Sequence, residues 1–389
     1  MPPSPDFLLT EAQLRAKRGV KWSHYGADVI PAWIADMDYA VAPEIRSALE
    51  SIISSDDYGY PPHNLNTRVH RAFSHWMTTR HGWTPDPARI ITATNMMQLM
   101  HAMVLMFSEP GDGVVVQTPI YPGFLTVVAQ NRRRLDENPL RRGNSRFEMD
   151  LDALRRVMDK RTRLLLLCNP HNPAGRAFEP YELRAIADMA LERELIVIAN
   201  EVHMDLVYPP ARYTPFASLG GEIARRTITL SSTSKGLNIA GLRLAVAHFG
   251  SRALQAKFEE INLDLLGKPS IFSIMGSEAA WLSGGPSLDK ILPQLAANRD
   301  RVTQFLQNHL PEIIHLPAEA TYFTWLDCSL LNLPGPAAKF FLEKARVALS
   351  PGRDFSSSAD PCARLNFATS PAILEEILAR MARAVKGTA

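Results

Sequence analysis

Cysteine is scarce and scattered. The chain of 389 residues has three, Cys168, Cys328 and Cys362, an odd number without paired spacing. No disulfide framework and no thiolate metal site is therefore expected. That usage fits a reducing compartment, and a cytoplasmic location is expected. Long apolar runs are missing as well. None approaches the roughly 18 residues from which a membrane helix is read, and the strongest, such as Leu164–Cys168, have the length of a strand. Met1-Pro2-Pro3-Ser4-Pro5-Asp6 carries no basic stretch ahead of an apolar one, so no secretion signal is expected. An excess of one charge is also lacking. Lys+Arg is 42 against Asp+Glu 40, too balanced to imply a nucleic-acid partner. No internal repeat or low-complexity linker occurs, and 46% hydrophobic residues exclude a wholly disordered chain. What is left is a soluble globular protein of one large or two ordinary domains, long enough to bury a sizeable core. Arg132-Arg133-Arg134 and Arg141-Arg142 form a local basic patch, read as solvated surface.

The middle of the chain alternates short β-rich runs with helical patterns. Val114–Val116 reads as a strand after the turn Pro110-Gly111-Asp112-Gly113. Leu164–Cys168, Ile196–Ala199, Ile228–Leu230 and Leu244–Ala247 read as further strands, the first apolar enough to be buried on both faces. Residues 180–193 read as a helix with Leu183, Ile186, Ala187 and Ala190 on one face and Pro180 in its first turn. Met96–Phe107 reads as a helix buried on most sides, its methionines as core. Ile373–Val385 reads as an amphipathic helix with Arg380, Arg383 and Lys386 toward its negative end. The alternation predicts an α/β fold with a mostly parallel sheet flanked by helices. We expect a large domain over 46–285 and a smaller α+β domain built from both chain ends, 1–45 and 286–389.

Three segments carry chemistry. Ser231-Ser232-Thr233-Ser234-Lys235 places small hydroxyls directly after a strand and ahead of one lysine, with Arg243 eight residues later. Hydroxyls and backbone N–H groups of such a loop can bind a phosphate and hold the lysine beside it. Taken alone, a serine-rich loop with one lysine is usually only a loop. Asn169-Pro170-His171-Asn172-Pro173 forces a turn after a buried strand, where α/β sheets bind ligands, and Asn172 presents an amide. Asn200-Glu201-Val202-His203-Met204-Asp205 follows the next strand. In isolation His203 reads as a structural histidine. No second cluster completes a metal site, and none is expected.

The combination is more specific than its parts. It resembles the fold type I pyridoxal-phosphate enzymes of the aspartate aminotransferase superfamily, and within them the MalY/PatB branch of cystathionine β-lyase-like C–S lyases. The likeness runs along nearly the whole chain. It rests on Pro31-Ala32-Trp33-Ile34-Ala35-Asp36-Met37-Asp38-Tyr39, on Asp57-Tyr58-Gly59-Tyr60, on the second and third segments above, on Thr321–Asp327, and on Arg364-Leu365-Asn366-Phe367-Ala368. The resemblance implies that Lys235 forms the Schiff base with the cofactor aldehyde and shuttles the substrate α-proton. It implies a phosphate cup of Ser232, Ser234 and Arg243, with Asn95 and Met96 opening a helix toward the phosphate. Tyr121 would stack on the pyridine, and Asn172 would bond its 3′-oxygen. Asn200 and His203 fall at further cofactor positions. Asp36 and Arg364 fall on the substrate side, Arg364 as a bidentate fork on the α-carboxylate. Tyr60 matches a tyrosine that reaches the neighbouring subunit's phosphate, so a homodimer is implied.

Four departures stand out. Asn200 replaces the family's aspartate, whose carboxylate pairs with the protonated pyridine nitrogen and keeps the ring an effective electron sink. Three readings follow: a natural enzyme with a weaker sink, a substitution made to slow turnover, or a degenerate site. Thr94-Asn95-Met96-Met97-Gln98 stands where the branch has a glycine, two valines and a proline. Arg243 replaces the branch's glutamine and looks like an aminotransferase residue. Gly236-Leu237-Asn238 replaces threonine-phenylalanine-asparagine. The leading expectation is C–S β-elimination from an L-amino acid, giving pyruvate and ammonia. Its competitors are transamination, another β- or γ-substitution or cyclisation, and a non-catalytic regulator, against which Lys235, Tyr121 and Arg364 argue.

Overall fold

The computed structural model describes residues 6–62 and 64–387, so residues 1–5, most of the segment read for a leader, lie outside it. The apolar runs assemble into one sheet of seven strands. In chain order these are β1 (Ile90–Ala93), β2 (Gly113–Thr118), β3 (Arg134–Pro139), β4 (Thr162–Cys168), β5 (Ile196–Asn200), β6 (Thr227–Ser231) and β7 (Ala245–Phe249). Their order across the sheet is β1-β7-β6-β5-β4-β2-β3. Neighbours run parallel except at β7, which is antiparallel to both β1 and β6. The run at 244–247 is thus the one exception within the mostly parallel sheet.

The strands are apolar on both faces because helices cover both. On one face Val114, Val116, Leu164, Leu166, Ile198 and Leu230 pack with Leu99, Met103 and Phe124. On the other, Val115, Leu165, Leu167 and Val197 pack with Leu183, Ile186 and Ala190, the stripe read on the helix Pro180–Glu192. Asn95 caps the helix Met96–Phe107, its side chain accepting from Gln98 N–H at 3.0 Å.

A third apolar core gathers both chain ends: Leu14, Trp22, Ile30, Met37 and Tyr39 pack with Leu295, Val302, Phe323, Leu365, Ile377 and Leu378. Around it lie an antiparallel sheet of Ile314–His315, Phe323–Asp327, Cys362–Asn366 and Ser350–Pro351, the long helix Gly285–His309 and the C-terminal helix Pro371–Lys386. Ile30–Pro31 pairs in parallel with Val347–Ala348. No helix among the described residues is long and apolar enough to cross a membrane.

The basic patch needs a correction. Arg133 is buried, donating from Nε to Ser108 Oγ at 2.9 Å and from Nη1 to the Asn131 carbonyl at 2.6 Å. Arg134 forks onto Asp136 and reaches Asp159. Both knit β3 to its surroundings rather than meeting solvent freely.

Arg176 ties the turn after β4 to the rest. Its guanidinium is 1% exposed and bonds Glu182 Oε2 and Glu319 Oε2, each at 2.7 Å. Beside it the Gly175 carbonyl accepts from Glu319 and Ala320 N–H. Removing one partner of a buried ion pair leaves an uncompensated charge, at a cost of about 3–5 kcal/mol. Arg176→Ala is expected to lower unfolding stability by that amount in urea titration, and a change below about 1 kcal/mol would show that the carboxylates simply rehydrate.

Candidate active site

Four parallel strands end at one level and deliver four loops to one place. Tyr121 follows β2, Asn172 follows β4, Asn200 closes β5 with His203 three residues on, and Lys235 follows β6. The register confirms the common level, since Cys168 pairs with Asn200 and Asn200 with Leu230. The carboxyl edge of a parallel sheet is where such loops diverge and leave a crevice.

That crevice is a cavity of about 300 Å³. Of the residues singled out from the sequence, it brings together Asn95, Met96, Tyr121, Asn172, Asn200, His203, Ser232, Ser234, Lys235 and Arg243. Arg364 stands behind this wall, its Nη1 donating to Asn172 Oδ1 at 3.0 Å. Two residues lie apart. The Asp36 side chain does not line the cavity, although its charge acts on Lys235. Tyr60 is 102% exposed and far from enclosed by its own chain.

Sequence reasoning missed part of the wall. Met97 and Met100 line the cavity beside Met96; Met100 and Met103 belong to the buried core as read, and Met96 and Met97 are partly buried against it. Helical spacing offers a signal: 96 and 100 are four apart and 97 and 100 three apart, so Met100 neighbours both residues of the first turn. Ala35, Phe124, Cys168, Val202, Ala240 and Leu244 complete the apolar lining.

Lys235 donates from Nζ to the Ala35 carbonyl at 2.9 Å, and Tyr322 Oη donates to the same oxygen at 2.9 Å. Burial, which disfavours the ammonium, brings the Lys235 amine down to about 8; Asp36 pulls the other way and Arg364 adds to the fall. Asn238 fixes the opposite segment, accepting from Met37 N–H and donating to the Met37 and Tyr39 carbonyls.

Arg364 is buried on Cys362–Asn366, with its guanidinium carbon 3.9 Å from the Phe323 ring centroid and 4.9 Å from that of Phe355. It donates to the Trp33 carbonyl at 2.8 Å and Ser350 Oγ at 3.0 Å, and its Nε is buried without a partner. Burial lowers it to about 10, which still leaves a cation at neutral pH. Among the described residues no carboxylate pairs with Arg364 or with Arg243. Unpaired arginines beside a cavity are suited to an anionic ligand.

His203 is neutral: burial, then the charges of Lys235 and Arg364, hold its ring well below the usual histidine value, and Nδ1 has no partner. The helix Met96–Phe107 adds its N-terminus, whose first N–H groups have no intrahelical acceptor. Ser232 Oγ donates to the Leu244 carbonyl and accepts from Ser234 N–H, which holds the loop in shape. The arrangement can bind a dianion at the Ser232–Ser234–Arg243 end, a flat ring against Tyr121, an electrophilic carbon at Lys235 and a carboxylate at Arg364.

The chain is similar to proteins of known name. Cystathionine beta-lyase PatB of Bacillus subtilis is 33% identical over 376 residues, covering 95% of this chain and 97% of that protein. Among solved structures, OvoB is 35% identical with a TM-score of 0.90, covering 95% of this chain and 96% of that one. Cystalysin from Treponema denticola, described as containing a pyridoxal 5′-phosphate cofactor, is 27% identical with a TM-score of 0.92 and 99% coverage of both chains. The architecture expected from the sequence, fold type I, is therefore the one adopted. The family model for aminotransferase class I and II matches residues 30–381, and the chain belongs to that family.

Proposed function

We propose that this chain is a pyridoxal-phosphate-dependent C–S β-lyase acting on an L-amino acid. The observation that carries the reading is the convergence of Lys235, the carboxylate-free Arg243 and the buried, unpaired Arg364 around one cavity. These residues fit the cofactor: the orphaned Arg364 Nε, the hydroxyl loop and the low-pKa amine each match one of its groups or the substrate's. Ser232, Ser234, Arg243 and the helix start at Met96 would hold the phosphate, Tyr121 the ring, Asn172 the 3′-oxygen and Lys235 the aldehyde carbon. When bound, pyridoxal phosphate supplies an imine-forming carbonyl and a ring that accepts the electron pair left at the substrate α-carbon.

The chain's own residues do the rest. Arg364 anchors the α-carboxylate through a charge-assisted fork, Nε included, and so fixes which α-substituent faces Lys235. The neutral Lys235 amine takes the α-proton at Nζ. The Cβ–S bond breaks with its electron pair leaving on sulfur, and the thiolate acquires a proton. The three-carbon remainder takes up water and yields pyruvate and ammonia. Ala35, by accepting from Nζ, aims the amine before substrate arrives.

Transamination is the second reading, and Arg243 is the observation that favours it. The deciding assay is holoenzyme with L-cystathionine, with pyruvate, thiol and ammonia quantified together. Equal amounts of the three support the lyase. An aminated cofactor with a keto acid and no thiol supports the transaminase. Neither outcome, in protein that also fails to capture the cofactor, returns the regulator reading.

The amine's titration gives a further expectation. Nucleophilic capture needs neutral Nζ, which dominates above about 8 and is protonated below it. The capture rate of pyridoxal phosphate by apoprotein should therefore rise with pH and level off just above that value. A midpoint near the ordinary 10.5 would mean that burial does not govern Lys235.

Three finer points belong to the same proposal. The chain ends, 1–45 and 286–389, act as a small domain beside the cofactor domain of 46–285, supported by the core they share. The exposed Tyr58 and Tyr60 support a homodimer in which Tyr60 serves the partner's site. Three free cysteines and the balanced charge support a cytoplasmic location.

A further inference from the structure

The cavity contains no carboxylate. Its lining holds two basic side chains, Lys235 and Arg243, three amides, two serine hydroxyls, a tyrosine, a histidine and apolar groups, and neither Asp nor Glu. Asn200 is the polar group on β5, in the middle of the sheet and 5% exposed. Its amide is already oriented: Oδ1 accepts from Val202 N–H at 3.3 Å, and Nδ2 donates to Met100 Sδ at 3.4 Å. A thioether is a weak acceptor, and Nδ2 carries a second hydrogen. The side chain thus offers the cavity an N–H, its oxygen being held by the backbone.

The acids nearby are turned elsewhere. Glu201 accepts from Phe216 N–H and Tyr213 Oη, and burial raises it to about 8, so it is neutral at pH below that. Asp205 is taken by Trp76 Nε1 and His81 Nε2, each at 2.9 Å. Asp36 acts on Lys235 from outside the lining. Facing the cavity instead are neutral His203, Lys235, Arg243 and, behind Asn172, Arg364. The charges of the lining and of Arg364 behind it, all positive, therefore disfavour a second cation inside the cavity, while Asp36, outside the lining, acts the other way on Lys235.

Resting on the cofactor reading above, we propose that Asn200 donates its Nδ2–H to the ring nitrogen and that this nitrogen stays unprotonated, so the chain works with a neutral pyridine. The placement would follow from the cofactor's own substitution: with its phosphate arm held by Ser234 and Arg243 and its carbonyl carbon at Lys235, the ring nitrogen, para to that carbon, would fall to Asn200. A neutral ring stabilises the α-carbon's electron pair less than a pyridinium does. The substrate class that suits such a site has a β-substituent of low basicity, which departs as the α-proton moves to Nζ and carries the electron pair away.

The test uses holoenzyme loaded with cofactor enriched in ¹⁵N at the ring. Borohydride reduction and mass mapping first establish attachment at Lys235. Attached cofactor with the ¹⁵N resonance of an unprotonated pyridine, moving to the pyridinium position in Asn200→Asp, is the expected result. Attached cofactor with a pyridinium resonance in the unsubstituted protein overturns this inference and leaves the cofactor reading standing. Failure to attach overturns both. Because the unsubstituted protein decides alone, poor folding of Asn200→Asp does not blunt the test. In Asn200→Asp, α-proton exchange should rise roughly ten- to hundredfold, and the dependence of elimination rate on leaving-group basicity should flatten. An unchanged exchange rate and an unchanged dependence would also sink the proposal.

Discussion

Lys235→Ala should abolish covalent capture of pyridoxal phosphate and slow α-proton removal by roughly 10²–10⁴-fold, the range a positioned general base contributes. The geometry gives no substitute. His203 lines the cavity, but burial and the charges of Lys235 and Arg364 hold its ring well below the usual histidine value, which makes it a weak base. Asn200 and Asn172 have no proton affinity to offer. Lys235→Arg separates charge from basicity, because a guanidinium keeps the cation but not a neutral amine at working pH. It should be as inactive as alanine. Both variants should fold, since the contact that Nζ makes is to the Ala35 carbonyl, which retains Tyr322 Oη. Single-turnover deuterium exchange at the α-carbon is the direct readout, and partial recovery on adding a small free amine would localise the loss to proton transfer. Exchange in Lys235→Ala within tenfold of the unsubstituted rate would remove Lys235 from the mechanism.

Arg364→Ala should be the second large effect. A hydrogen bond to a charged group contributes about 1.5–3 kcal/mol. A lost fork therefore predicts a fall in kcat/KM of roughly 10²–10⁴-fold. Part of any loss could come from the wall itself, because Arg364 also holds Asn172 Oδ1, the Trp33 carbonyl and Ser350 Oγ. A substrate amide resolves the two. Lacking the carboxylate, it should already be poor with the unsubstituted enzyme and should lose little more in the variant. Equal losses for acid and amide would assign Arg364 to wall construction instead of substrate binding. Arg364→Lys should fall between, a point charge in place of a fork, and without the flat face that rests on Phe323 and Phe355.

Much of this was readable from residue order, for a physical reason. Parallel strands buried on both faces are unbroken apolar runs, so Leu164–Leu167 and Ile196–Ala199 declare themselves, and the polar residues that follow mark the binding edge. Asn172, Asn200 and Lys235 are marked that way by residue order alone. β3 is not, because Arg134–Pro139 is an edge strand rich in charge, tied down by Arg134–Asp136 pairing that a linear reading cannot see. Arg133 was misread for the same reason: a cation can be buried when carbonyls converge on it. Arg364 draws its role from likeness alone, since its burial depends on Phe323, on a strand about 40 residues earlier, and on Phe355 in the loop before its own strand. The homodimer and the domain boundaries rest on arguments of the same indirect kind.

The stretch from Trp33 to Asp36 meets its neighbours through main-chain oxygens. The Trp33 carbonyl accepts from Arg364 and Ser350, Ile34 from Asn366, Ala35 from Lys235 and Tyr322, and Asp36 from Asn366 and Lys21. Carbonyls are the one feature that every amino acid brings. The side chain at 34 can therefore drift over generations without disturbing the scaffold that aims Lys235 and Arg364, whereas Trp33 donates from Nε1 to the Lys21 carbonyl and the Asp36 charge acts on Lys235. Lineages descended from such a protein would be free to explore new partners for the same anchored reaction, altering what is recognised while the reacting atoms keep their places.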